Sequence, residues 1–175
     1  MVPFARALSA ALAVTAVISF SAPPARATGS SDDTTRAIFV LHLGNYVTWP
    51  ASAFSSPSAP IVVAVIGNPA LTAELKTLAV GQSVNGRPFE IRAAADAASC
   101  AGAHLVFVSE SEQARALTAL PAPLRVSEEP EKLDDTDVAI RMIGGRVAFA
   151  VNRKDVHRRG LKLSSKLMRL ASSFD

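Results

Sequence analysis

Hydrophobic positions along this chain alternate between helical and extended spacing, and the alternation outlines a fold. From Thr34 the residues Ile38, Leu41, Leu43, Tyr46 and Val47 follow one side of a helix. Asp33 or Thr34 is its expected cap, and Pro50 ends it because the residue before a proline avoids helical backbone. "SSPSAP" then reads as a loop. "IVVAVIG", Ile61 to Gly67, is an unbroken apolar run, as expected of a central strand buried on both faces. Gly67-Asn68-Pro69 turns into a second helix over Ala70 to Leu78, with Pro69 near its first position. This strand, turn and helix carry one glycine and no G-x-G-x-x-G, which excludes a dinucleotide fingerprint.

Val84 and "RPFEIRAA" form the next extended segment, with a tight turn at Asn85-Gly86. "HLVFVSES" is a strand from His104 that leads into a helix over Glu112 to Leu120, and "LRVSEE" is a short strand. The acidic run from Glu128 to Asp137 reads as a solvated loop. "VAIRMIGGRVAFAVN" alternates about Gly144-Gly145, a hairpin signal. A last helix is expected from Asp155, interrupted at Gly160 and resumed to Ser172. The pattern predicts an α/β single-domain sandwich: a mixed, partly parallel sheet flanked by helices, with an antiparallel C-terminal hairpin.

The N-terminus stands apart from this pattern. Arg6, the apolar run Ala7 to Phe20 and "SAPPARA" have the form of a secretory signal peptide over residues 1–27, cleaved after Ala27. A polar, disordered stub over 28–33 and one domain over 34–175 are expected to follow. Cleavage removes Arg6 and Arg26 from 18 basic residues and leaves all 15 acids, so the net charge falls to about +1. That charge and export from the cytoplasm both argue against a nucleic-acid role. No membrane insertion is expected after cleavage. Cys100 is the single cysteine, so an intramolecular disulfide is impossible. A buried thiol is the expected state, with intermolecular pairing or redox sensing as the alternative.

Candidate chemistry is sparse. His42, His104 and His157 are scattered, and HExxH, CxxC and EF-hand patterns are absent, so no metal site or cofactor is predicted. His104, opening a buried strand, reads as a satisfied core residue; the other two read as surface. S-x-x-K would need lysine three residues after a serine, but Leu167 follows Ser164 and Met168 follows Ser165 at that distance. Ser165 and Lys166 are adjacent, which on a helix separates their side chains too far for proton transfer. No catalytic residue is assigned. Leu163, Leu167, Leu170, Ala171 and Phe174 form a core-facing stripe on the last helix, while Lys162, Lys166, Arg169 and Ser173 line another face.

Two groups are candidates for binding. Tyr46 and Trp49 are the only Tyr and Trp, of the types that anchor interfaces, although Trp49 equally suits the core beneath the first loop. Arg153, His157, Arg158 and Arg159 suit an acidic partner or a small anion, or else a solvated helix start.

"FVLHLGNYVTWPASAF", "IVVAVIGNP", "VNGRPFEIR", "CAGAHLVFVSESE" and "GGRVAFAVNRKDVHRRGLKLSSKLMRLA" together resemble the YfiR family of periplasmic regulators, over about Arg36 to Ala171. The most specific elements are Tyr46-Val-x-Trp49-Pro50, Asn85-Gly-Arg-Pro88 and Gly160-Leu-Lys-Leu-Ser-Ser-Lys-Leu. The resemblance implies regulation and not catalysis. Proteins of this kind bind the periplasmic domain of an inner-membrane diguanylate cyclase and hold it inactive, lowering cyclic di-GMP and biofilm formation. Capture by an outer-membrane lipoprotein releases them, and family members tend to be homodimers. Some relatives carry several cysteines and disulfides, where this chain has Cys100 alone. The alternative function is a periplasmic small-molecule sensor that does not act on a cyclase.

Overall fold

The structure, a computed structural model, describes residues 30–109, 124–128 and 136–171. Helix α1 spans Ser31–Tyr46 and starts earlier than the apolar spacing indicates, because Ser30 and Asp33 form a reciprocal capping box. The Asp33 N–H donates to Ser30 Oγ at 3.2 Å, and the Ser30 N–H donates to Asp33 Oδ2 at 3.3 Å. Residues 31–33, expected in a disordered stub, are therefore its first turn. Of the predicted stripe, Leu41, Leu43 and Val47 are buried and Tyr46 is half-buried, and Ile38 is the one position that departs. Ala37, Val40, Leu41, Leu43 and Gly44 face the core, and Ile38 is 44% exposed. Gly44 admits a close approach: a Cβ there would lie 2.8 Å from Phe89 Cζ, so only glycine lets the ring pack against the helix backbone.

The helix stops at Tyr46, and Val47–Thr48 form a short strand, β1. β2, Ile61–Ile66, is buried at every position and lies in the interior of the sheet. Asn68 caps helix α2, Pro69–Leu78, by accepting the Leu71 N–H at 2.8 Å. β3, Ser83–Val84, and β4, Arg87–Ala94, make the expected hairpin about Asn85-Gly86. β5 is Leu105–Val108, β6 Leu124–Glu128, β7 Val138–Ile143 and β8 Arg146–Val151. The second hairpin turns at Gly144-Gly145, as its alternation predicts.

These strands form a mixed seven-stranded sheet in the order β3-β4-β2-β5-β6-β7-β8. The pairs β4·β2, β2·β5, β5·β6 and β6·β7 are parallel, and the two hairpins make both edges antiparallel. Alternation along the strands sorts the residues by face. Ile61, Val63, Val65, Leu105, Phe107, Val126, Val138 and Ile140 pack with α1 and α2 into the main core. Ala64, Ile66, Val106 and Val108 face the other way and meet buried Cys100. Arg36 fastens α1 to the end of β6, its Nε donating to Glu128 Oε1 at 2.8 Å.

The C-terminal segment departs most from expectation. It is not one interrupted helix but helix α3, Arg153–Arg158, strand β9, Lys162–Leu163, and helix α4, Ser165–Leu170. Leu163 belongs to the strand, Leu167 is buried, and Leu170 is 62% exposed, so the predicted leucine stripe is not a single face. The acidic run is also corrected at its end. Asp137 is fully buried with Thr136, and the run is not a solvated loop there. Residues 1–27, the helix expected over Glu112 to Leu120, residues 129–135 and Ser173 and Phe174 lie outside the described residues. No described helix is long and apolar enough to cross a membrane.

Candidate interaction site

Two distant stretches of sequence meet in one small ladder. β1 pairs antiparallel with β9, Val47 opposite Leu163 and Thr48 opposite Lys162. The Ser164 N–H extends the ladder by donating to the Tyr46 carbonyl at 2.8 Å. The chain reaches β9 because it leaves α3 at Gly160 with φ +73°, a conformation that costs a side-chain-bearing residue about 1 kcal/mol or more. Leu161 then drops into the core. Ser164 caps α4 by accepting the Leu167 N–H at 3.2 Å, while Ser165 and Lys166 point to solvent. The adjacent serines thus divide into a cap and an exposed first helical residue.

Trp49 follows β1 and turns inward. It is 8% exposed, so it belongs to the core and is not a surface anchor in this conformation. Its Nε1–H donates to the His104 carbonyl at 3.1 Å, and its ring meets Phe54 and His104 edge-on. His104 stacks on Phe54 with ring centroids 4.4 Å apart, and the Arg87 guanidinium lies over Phe54 at 3.7 Å. Arg87 Nη1 also donates to the Ser56 and Ala59 carbonyls at 2.9 and 2.8 Å. Beside this cluster is a cleft of about 210 Å³ lined by Thr48, Trp49, Phe54, Asn85 and Arg87. His104 is the satisfied core residue that its position predicts. Tyr46 is half-buried against the core edge.

The basic candidates separate into two roles. Arg153, His157 and Arg158 are exposed on α3, and Arg158 also pairs with Asp155 of the same helix. Arg159 is turned inward, its Nη1 3.7 Å from Asp137 Oδ2. Burial pushes the Arg159 guanidinium down from its ordinary value, and Asp137 opposes that shift. Asp137 is held mainly by Arg125, which is itself buried on β6. The Arg125 backbone N–H donates to Oδ2 at 2.8 Å and its Nη2 to Oδ1 at 3.2 Å. Asp155 Oδ2 lies 3.5 Å from the same Nη2. This network roots α3 in the sheet, and no sequence pattern announced it, because Arg125 sits in a short apolar strand.

The outward side of the C-terminal segment is cationic. Arg153, Lys154, His157, Arg158, Lys162, Lys166 and Arg169 are exposed, and the one acid from 153 to 171, Asp155, is engaged with Arg125 and Arg158. The structure therefore joins the Tyr46 segment to the basic segment through β1 and β9, but leaves Trp49 and Arg159 inside and Arg153, His157 and Arg158 outside. A model of the YfiR/HmsC-like family matches residues 33–172. The chain belongs to the YfiR/HmsC-like family. The match includes both strands of the β1·β9 ladder and the whole cationic segment of this YfiR/HmsC-like chain. No curated protein matches the sequence.

Proposed function

We propose that this chain is a periplasmic regulator that binds the periplasmic domain of an inner-membrane diguanylate cyclase and represses it, lowering cyclic di-GMP and biofilm formation. Membership of the YfiR/HmsC-like family over residues 33–172 carries this reading. The protein reaches the periplasm by a signal peptide cleaved after Ala27 and acts as a binding protein, not an enzyme. Docking uses the cationic C-terminal face, with Arg153, His157 and Arg158 at its start and Lys166 and Arg169 at its end. Tyr46 borders that face through the β1·β9 ladder. Such a regulator needs no reactive side chain; it needs unequal affinity for two states of its target. Moving a receptor from 1:99 to 99:1 takes a differential of about 5.5 kcal/mol, within reach of a few charge-assisted contacts and a buried anchor. A homodimer and capture by an outer-membrane lipoprotein complete the proposed cycle.

Deletion of the gene tests the proposal. Cyclic di-GMP should rise in the wild-type background and stay level in a strain that also lacks the cyclase; a rise in both strains overturns it. The cleft beside Trp49 and Arg87 supports a second reading, a sensor of small anionic molecules. A thermal-shift screen with aromatic carboxylates separates the two readings, since only the sensor requires a shift.

A further inference from the structure

Residues 49–60 cross the end of the sheet as a strap, between the Thr48 end of β1 and the start of β2. The strap is rich in proline and serine, has one short turn of 3-10 helix at Ala51–Ala53, and carries no charged side chain. Trp49 and Phe54 are its inward residues, and both pack on His104.

The contacts of His104 allow one protonation state. Its Nδ1 lies 3.0 Å from the Val62 amide nitrogen, which can only donate, so Nδ1 must accept. Its Nε2 lies 3.0 Å from the Ala53 carbonyl oxygen, which can only accept, so Nε2 must carry the proton. The ring thus links β2 to the strap as a neutral imidazole with an assigned tautomer. Its own backbone is equally committed: the N–H donates to the Val62 carbonyl at 2.9 Å, and the carbonyl accepts from Leu124 N–H at 2.8 Å and from Trp49.

A second proton would go on Nδ1 and confront the Val62 N–H. The hydrogen bond would be lost, and two donors would be left facing each other in a buried site. Among the described residues, the charges that act on the ring are cations and not acids. The strap, β2 and β5 contribute no titratable side chain. β4 contributes Arg87, which lies across Phe54, and Arg92, both of like sign to an imidazolium, and Glu90, which is paired with Arg92. Arg125 of β6 is committed to Asp137.

We propose that His104 is a pH latch: neutral, it pins the 49–60 strap to the sheet, and protonated, it lets the strap go. Burial holds the imidazole below its ordinary 6.5, the Ala53 contact opposes that shift, and Arg87 and Arg92 add to it. In the released strap the ring is solvated and regains a value of about 6.5. The released form therefore binds the proton more tightly, so acid favours release. Between the two values the opening constant rises by up to about tenfold per pH unit. The consequence for docking rests on the function proposed above: release loosens Trp49, next to β1, which holds the C-terminal segment through β9. The latch itself does not depend on that reading.

Trp49 is the only tryptophan and lies in the strap, so its emission reports the latch directly. The mature chain is followed from pH 7.5 to 5.0 by Trp49 emission and by amide exchange of residues 51–59, corrected for intrinsic rates. The latch predicts a red shift and a loss of protection on acidification, both absent in His104→Asn, which keeps an acceptor near Nδ1 but does not titrate. No change in the wild-type chain, or the same change in His104→Asn, overturns the proposal. Should His104→Asn fail to fold, nitrogen NMR of the wild-type ring decides. A protonated Nε2 at neutral pH and a His104 titration that coincides with the strap transition support the latch. The Nδ1–H tautomer, or a His104 titration apart from the strap transition, refutes it.

Discussion

Replacing Asp137 with asparagine removes one negative charge from a site where two arginines depend on it. Asp137 is wholly buried, and the Arg125 side chain is 2% exposed. The carboxylate receives the Arg125 backbone N–H, the Arg125 Nη2 and, at 3.4 Å, the Arg125 Nε, with Arg159 Nη1 beyond. Asparagine keeps the shape but places an NH2 group among these donors. Among the described residues, Asp155, at 3.5 Å from Arg125, is then the remaining acid for the buried cation. Breaking one side of a buried pair costs about 3–5 kcal/mol, because the surviving charge is stranded. For a domain of this size that lowers Tm by about 10–20 °C. Urea and thermal unfolding of the mature chain measure it. The double substitution Arg125→Met with Asp137→Leu should recover part of the loss, since the Arg125–Asp137 pair goes as a unit, while Arg159 loses its contact with Asp137. A cost below about 1 kcal/mol for Asp137→Asn would refute the reasoning, because only a hydrated, surface-like pair is so cheap.

Three further outcomes follow from named contacts. Ser164→Ala removes the α4 cap and should cost about 1 kcal/mol, while Ser165→Ala should change stability by less than about 0.5 kcal/mol; unfolding curves check both, and equal effects would contradict the assigned cap. Cys100 is buried, and burial followed by the Asp96 charge pushes its thiol up from its ordinary value. It should therefore resist a thiol reagent in the native chain and react on unfolding; rapid native labelling at neutral pH would count against this. Charge reversal at Arg153, Lys166 and Arg169 should leave Tm within a few degrees and weaken binding to the cyclase's periplasmic domain tenfold or more. The wild-type affinity should fall with added salt, and a salt-independent affinity would exclude the cationic face.

Local signals in the sequence located the parts of the fold that local forces decide. Ile61 to Ile66 is buried on both faces as read, and Asn85-Gly86 and Gly144-Gly145 turn where their backbone freedom places them. The errors arise where a distant partner decides. Leu163 fits a helical stripe by spacing, yet its backbone pairs with Val47, 116 residues earlier in the chain. Asp137 closes an acidic run, yet the partner that buries it is an arginine inside a strand. Ile38 fits the apolar side of α1 by spacing, yet it is exposed, while Leu41 and Leu43 of the same stripe are buried. For the site, the exposure of Arg153, His157 and Arg158 suits the binding reading. Trp49 resolves to the core alternative, because its indole N–H has a buried acceptor in His104. Ser30 with Asp33 was a legible capping box that apolar periodicity alone passed over.

The central claim is that this protein, acting from outside the inner membrane, lowers cyclase output. Spheroplasts that contain the cyclase but lack this gene expose the cyclase's periplasmic domain to the medium. Purified mature chain is added, and cellular cyclic di-GMP is measured against dose. The account predicts a saturable fall, weakened by charge reversal at Arg153, Lys166 and Arg169 and absent from spheroplasts without the cyclase. An unchanged level at every dose, with the cyclase active and the added protein folded, would contradict it.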